Sequence, residues 1–169
     1  MLDVINEQNA VIGQETKQRV HEQGLRHRVS AVLLQNEYGE YLIPTASDKK
    51  VEAGGLFHSA AGHVTSGQSY SDGAKRELWE ETGVQTKTEP ELLGSFWLEK
   101  DYPTRKEKER FEVFRVAYDA SMGPIVLNEE QINEQWLSEE TLKQLYRSAP
   151  EKFSYPLQLS CRLIFKFVR

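Results

Sequence analysis

The sequence predicts an α/β fold in which a mixed β-sheet lies between helices, an α/β/α sandwich. Three observations carry this. β-prone runs recur along the chain, and one of them, Arg28-Val29-Ser30-Ala31-Val32-Leu33-Leu34, is apolar enough to be buried on both faces. A sharply marked helix over residues 71–82 falls between strand candidates. Two further helical patterns follow the last strand candidate.

Taken in order, Leu2-Asp3-Val4-Ile5 and Ala10-Val11-Ile12-Gly13 flank a polar turn and read as a hairpin, able to pair within the chain or with a second copy. Residues 16–23 form a short helix carrying His21. A strand then runs from His27 through Leu34, and a turn at Gly39 returns the chain as Tyr41-Leu42-Ile43. Residues 44–55 are loop, with Pro44, Lys49, Lys50 and Gly54-Gly55, and Leu56 to Ala61 is a short strand. The central helix is capped by Ser69 with Asp72, or by Ser71, and stopped by Gly83; Tyr70, Ala74 and Leu78 recur every four residues as its buried stripe.

Leu92 to Leu98 is the next strand. Residues 99–110 are dense in mixed charge and read as a solvated connection, from which Arg105 or Lys106 can reach a phosphate. Phe111 to Tyr118 is a strand, Gly123-Pro124 a turn, and Gln135-Trp136-Leu137 a short strand. Ser138 caps a helix through Leu142, Leu145 and Tyr146, and Leu157 to Val168 closes the chain as an amphipathic helix with Leu159, Leu163 and Phe167 on one stripe.

At 169 residues the chain is expected to be one domain, 1–169, with the hairpin region 1–25 packed on it. A formal charge of -5 argues against a nucleic-acid binder that works by phosphate neutralisation. The lone Cys161 gives no disulfide framework and suits a reducing cytosol. Neither a signal-peptide pattern nor a membrane-spanning apolar run is present, so a cytoplasmic protein is expected.

The chemistry concentrates between Gly62 and Val84. Glu77, Glu80 and Glu81 stand at i, i+3 and i+4 and share a helix face, where like charges repel; Glu80 and Glu81 also meet the unfavourable end of the helix dipole. A divalent cation turns that penalty into binding energy, because hard cations take carboxylate oxygens. On the helix alone, a solvated charged face is the ordinary alternative.

The spacing of Gly62, Gln68 and Arg76-Glu77-Leu78-Trp79-Glu80-Glu81-Thr82-Gly83-Val84 resembles the Nudix box, Gly-x5-Glu-x7-Arg-Glu-aliphatic-x-Glu-Glu-x-Gly-aliphatic. Every fixed position matches except Gln68, where the family usually has Glu. The resemblance implies the Nudix α/β/α sandwich and a Mg²⁺- or Mn²⁺-dependent hydrolase attacking a diphosphate bond with water. It implies metal ligands at Gly62 (carbonyl), Glu77, Glu80 and Glu81, with Arg76 orienting Glu77. For the general base it offers Glu77 or a carboxylate beyond the box, of which Glu130 is the best placed and Glu129 next.

The segment Leu56 to Val64 is similar to the isopentenyl-diphosphate-isomerase-like branch of the family, and His21, His27 and His63 resemble that enzyme's metal-binding histidines. Its catalytic cysteine is replaced here by Ala61. Lys49, Lys50, Phe57 and Arg105 are candidates to meet a small diphosphate substrate, and Phe57, Trp97, Tyr102 and Phe111 to stack a base. The expected substrate is a nucleoside diphosphate or a small molecule linked to one. An isomerase of isoprenoid diphosphates and a non-catalytic nucleotide sensor are the alternatives, the latter kept open by Gln68.

Overall fold

The computed structural model describes residues 1–167. Its centre is the strand β3 (His27–Gln35), the apolar run singled out above. On one edge β3 pairs in parallel with β8 (Arg105–Ala117), which pairs antiparallel with β7 (Glu91–Tyr102). On its other edge β3 pairs antiparallel with β6 (Ala60–His63) and, through Gln35, with β4 (Tyr41–Leu42), and β10 (Trp136–Leu137) completes that side.

β3 is buried on both faces because each meets its own helical layer. Val29, Ala31 and Leu33 pack with Leu142 and Tyr146 of α3 (Glu139–Ser148) and Leu157 and Cys161 of α4 (Tyr155–Ile164). Val32 and Leu34 face the stripe Tyr70, Ala74 and Leu78 of α2 (Tyr70–Thr82). This is the expected sandwich. Fully burying Leu78 alone stabilises it by about 1.5–3 kcal/mol.

The N-terminal hairpin forms as β1 (Leu2–Ile5) and β2 (Val11–Glu15) and packs within the chain. Ile5 donates to the Arg26 carbonyl at 2.9 Å, and Ser66 Oγ donates to Asp3 at 2.6 Å. The short helix α1 (Lys17–Gln23), capped by Thr16, turns His21 inward. Ser69 is the cap of α2, and Gly83, at φ 73°, takes the left-handed position that ends it.

Three expectations are corrected. Residues 99–110 are not a loop: β7 and β8 form one long hairpin, with Tyr102 opposite Arg105 and only Pro103 and Thr104 at its tip. The charges there alternate, so a strand sends Arg105, Glu107, Glu109, Phe111 and Val113 to one side, and Glu107 and Glu109 are buried. Residues 44–55 contain a two-residue strand, β5 (Thr45–Ala46), paired with β9 (Gln131–Ile132), which brings the lysine loop against residues 129–131. The final helix ends at Ile164, ahead of Lys166 at φ 55°, and buries Leu157, Ser160 and Cys161. Of the expected stripe, Leu159 and Leu163 are only partly buried and Phe167, though buried, lies beyond the helix; Val168 lies outside the described residues.

Candidate functional site

α2 is held tightly to the sheet, where Ser30 Oγ of β3 donates to the Tyr70 carbonyl at 2.7 Å. That orientation turns Glu77 and Glu81, one turn apart, toward β6 and buries them to 8% and 2% exposure. Glu80 is exposed at the rim. Arg76 links these groups: Nη1 lies 2.8 Å from Glu77 and 3.0 Å from Glu80, and Nη2 donates to the His63 carbonyl at 2.7 Å. Glu81 meets Lys50 Nζ at 3.1 Å and accepts from Gln131 Nε2. Lys50 also lies 3.0 Å from Glu130 and sits 4.7 Å above the Phe57 ring.

Burial pushes Glu81 up to about 7, with Lys50 pulling the other way. Burial raises Glu77 as well, opposed by Arg76. For Lys50 burial favours the neutral amine, but Glu81 and Glu130 together outweigh it and hold the ammonium charged.

These residues line a cleft of about 540 Å³ that also reaches Lys49, Gly62, Tyr102 and Arg105. The three carboxylates do not converge on one point, because Glu80 turns to Arg76 and Glu81 to Lys50. The donor set nonetheless fits a hard divalent cation. Two buried carboxylates are raised by desolvation, a strain that a dication relieves, and all donors are oxygen. Backbone reaches the same spot, since a β-carbon added at Gly62 would collide with the Glu77 carboxylate.

A second cluster adjoins the first across β6. His21 from α1, His27 from β3 and His63 from β6 pack ring to ring, with centroids 5.0–5.1 Å apart. Parallel pairing sets Glu109 beside His27, and Glu107 lies two residues before it on the same face. His21, His27 and His63 offer ligand atoms within 4.8 Å of one another, and so do His27, Glu107 and Glu109. His27 Nδ1 donates to the Leu25 carbonyl at 2.9 Å, which leaves Nε2 as a lone pair with no hydrogen-bond partner.

Burial lowers His27, and burial with neighbouring cationic groups lowers His63 further. Burial and the Glu107 charge raise Glu109 well above the usual carboxylate range. Glu109 lies 3.4 Å from His27 and 3.7 Å from His63, where burial disfavours the charged form on both sides of each contact. Burial works to raise Glu107 too, but hydrogen bonds from His21 and Glu109 and the Arg105 charge win and bring it to about 2. Three clustered imidazoles, that of His27 with an orphaned Nε2, beside carboxyl groups are the donors a transition-metal ion takes.

Of the residues named from the sequence, Gly62, Arg76, Glu77, Glu80, Glu81 and Glu130 meet at this cleft, with Lys49, Lys50, Phe57 and Arg105. Lys49 is at the rim, paired with Glu129, and Arg105 pairs with Glu107. Of the aromatic candidates, Phe57, Tyr102 and Phe111 line the cleft. Trp97 instead lies between the guanidinium groups of Arg26 and Arg110, at 5.9 and 5.5 Å. Sequence reasoning missed Glu107, Glu109 and Gln131. The signal for the two acids was the alternation of charge from Lys106 to Arg110, a strand period inside a run of mixed charge. Gln131 gave no signal.

Comparison with known proteins agrees with this geometry. The NUDIX domain family matches residues 24–156. An uncharacterized Nudix hydrolase of Yersinia pestis is 32% identical over 135 residues, 79% of this chain and 69% of that protein. An isopentenyl-diphosphate Delta-isomerase of Serratia proteamaculans is 29% identical over 156 residues, 91% of this chain and 85% of the isomerase. The crystal structure of DR0079 from Deinococcus radiodurans superposes with a TM-score of 0.75 at 26% identity, covering 99% of both chains. With the box helix, its glycine approach and its buried acids on the cleft wall, and with the family pattern spanning most of the sequence, this chain belongs to the Nudix family.

Proposed function

We propose that the chain, acting as a single catalytic unit, is a Mg²⁺- or Mn²⁺-dependent hydrolase of a diphosphate bond in a nucleoside diphosphate or a small molecule linked to one. One observation carries the reading: Glu77 and Glu81, buried from one helix face, open onto a cleft lined by further acids, among them Glu80 and Glu130, and by the cations Lys49, Lys50 and Arg105. Such a cleft is costly for an empty pair of acids and favourable for a cation with an anionic substrate.

The Gly62 carbonyl, Glu77, Glu80 and Glu81 are the groups to hold the ion, which when bound neutralises the diphosphate and acidifies a water molecule. Arg76 fixes Glu77 and Glu80 and ties both to β6 through the His63 carbonyl. Gln131 holds the second oxygen of Glu81. Glu130, half exposed over the cleft, is the proposed proton acceptor, with Glu77 the alternative. Lys49, Lys50 and Arg105 take the phosphate oxygens, and Phe57 and Tyr102 offer faces for the rest of the substrate.

The test is product release from a panel of nucleoside diphosphates and their sugar conjugates, with Mg²⁺ or Mn²⁺. Glu81→Gln is expected to lower turnover by about 100- to 1000-fold. Ligand-dependent thermal stabilisation without any turnover would replace the enzyme with a nucleotide sensor.

The cluster of His21, His27, His63, Glu107 and Glu109 favours a second reading, isomerisation of an isoprenoid diphosphate, in line with the Serratia relative. Ala61 opposes it, because no thiol stands beside Gly62 and Cys161 is buried in the opposite layer under α4. Proton NMR of an isoprenoid diphosphate incubated with the protein separates the two: a shifted double bond for the isomerase, an intact alkene for the hydrolase.

A further inference from the structure

Lys50 has a position that substrate binding alone does not explain. A lysine that waits for a phosphate is ordinarily extended into solvent, its ammonium hydrated. Here the side chain is 11% exposed, folded under its own loop, and its ammonium lies between Glu81 at 3.1 Å and Glu130 at 3.0 Å. Its stem and charge are covered by the Phe57 ring. β5–β9 pairing sets this arrangement up. Ser47 donates its N–H to the Glu130 carbonyl at 2.9 Å and its hydroxyl to the Glu129 carbonyl at 2.7 Å, which leaves Lys50 three residues on, facing α2.

The other carboxylates on this wall already have a fixed cation in Arg76, which is anchored to backbone. Among the described residues, Glu81 has only Lys50 as its cationic partner. A buried acid left without a cation is expensive, and a lysine on a loop is a cation that can leave.

We infer that Lys50 is a resident counter-cation that keeps Glu81 and Glu130 compensated in the metal-free protein, so that metal loading is an exchange of a divalent ion for the lysine ammonium. The inference rests on the carboxylate metal site proposed above. It makes Lys50 a positioning residue with two stations, and it makes the metal-free site resistant to weak cations. Loading also frees the ammonium into the cleft, where an anionic substrate is the next partner available.

The experiment is titration of the metal-free full chain with Mn²⁺ alone, followed by calorimetry or by electron paramagnetic resonance of free Mn²⁺. Because the histidine cluster also offers donors, the relevant binding step is the one that Glu81→Gln abolishes. At that step Lys50→Met, with a stem of similar length and no charge, is expected to bind Mn²⁺ about tenfold more tightly than the natural protein. Lys50→Arg, which keeps the charge, is expected to bind no more tightly. Lys50→Gln serves in the same role if the methionine variant does not give a native circular dichroism spectrum. Unchanged or weaker affinity in the uncharged variants overturns the exchange while leaving the metal site standing. If Glu81→Gln removes no binding step, both the exchange and the carboxylate site fall.

Discussion

The two acidic centres of the cleft are built in opposite ways. The centre on α2 comes from one stretch of chain: its carboxylates are three and four residues apart, and helix geometry alone puts them on one wall. The histidine centre is assembled from α1, β3, β6 and β8, and only sheet register brings it together, with Val29 opposite His63 on one side of β3 and His27 beside Glu109 on the other. The first is compensated by internal cations, Arg76 and Lys50. In the second, burial disfavours charge on His27, His63 and Glu109, while Glu107 keeps its charge beside Arg105 and His21. The helix crowds its acids where two cations reach them, whereas on the strand one acid keeps its charge beside a cation and burial works against charge on the other.

The largest expected contrast is in metal selectivity. The oxygen-only set suits Mg²⁺ or Mn²⁺, and the imidazole-rich set suits Zn²⁺ or another transition ion. His27→Ala is expected to remove a transition-metal equivalent from the purified protein, and Glu81→Gln to leave that equivalent in place, both read by elemental analysis. Loss of the same equivalent in both variants would merge the two centres into one.

A smaller effect lies in pH dependence. Glu81 is raised from about 4.5 to about 7 by burial, so the folded state holds its proton more tightly than the unfolded chain does. The stability this contributes is fully present below about pH 4.5 and is lost as pH rises through about 7. Thermal melts of the metal-free protein are therefore expected to fall across that window relative to Glu81→Gln, and Mn²⁺ is expected to flatten the difference. A constant gap between the two proteins across the same window would show that Glu81 carries no such burden.

The smallest effect concerns Gln68. Its side-chain oxygen lies 3.5 Å from Arg76 Nε, at the edge of the carboxylate wall and short of Glu77 and Glu81. Gln68→Glu is expected to leave turnover within about threefold of the natural protein or to raise it, since a further acid there strengthens the hold on Arg76 more than it alters the buried pair. A collapse of turnover would put Gln68 at the centre of the site.

What was legible follows the same division. The helix, its Ser69 and Gly83 ends, the stripe Tyr70, Ala74, Leu78 and the three acids are local patterns, and each can be read from spacing. Glu107 and Glu109 were lost because mixed charge signals solvent more loudly than period-two alternation signals a strand. Here a neutralising neighbourhood let the acids be buried. Lys50 and Glu130 were both visible as charged residues near the box, but their pairing depends on a two-residue strand, β5, that Pro44 and the glycines beyond it concealed. The stripe expected for the last helix failed because a helix stop at residues 165–166 is not marked by glycine or proline, so the periodicity seemed to continue.

The parallel pairing of β3 with β8 has a consequence for how the protein is made. Strands joined in parallel need a long crossover, and here α2 and all of β7 intervene before β8 can dock. During synthesis, His21, His27 and His63 leave the ribosome well ahead of Glu107 and Glu109, so for that interval the three imidazoles of the cluster are without the two acids that join them in the fold. A metal ion that met the cluster before β7 and β8 had formed would find its imidazoles alone.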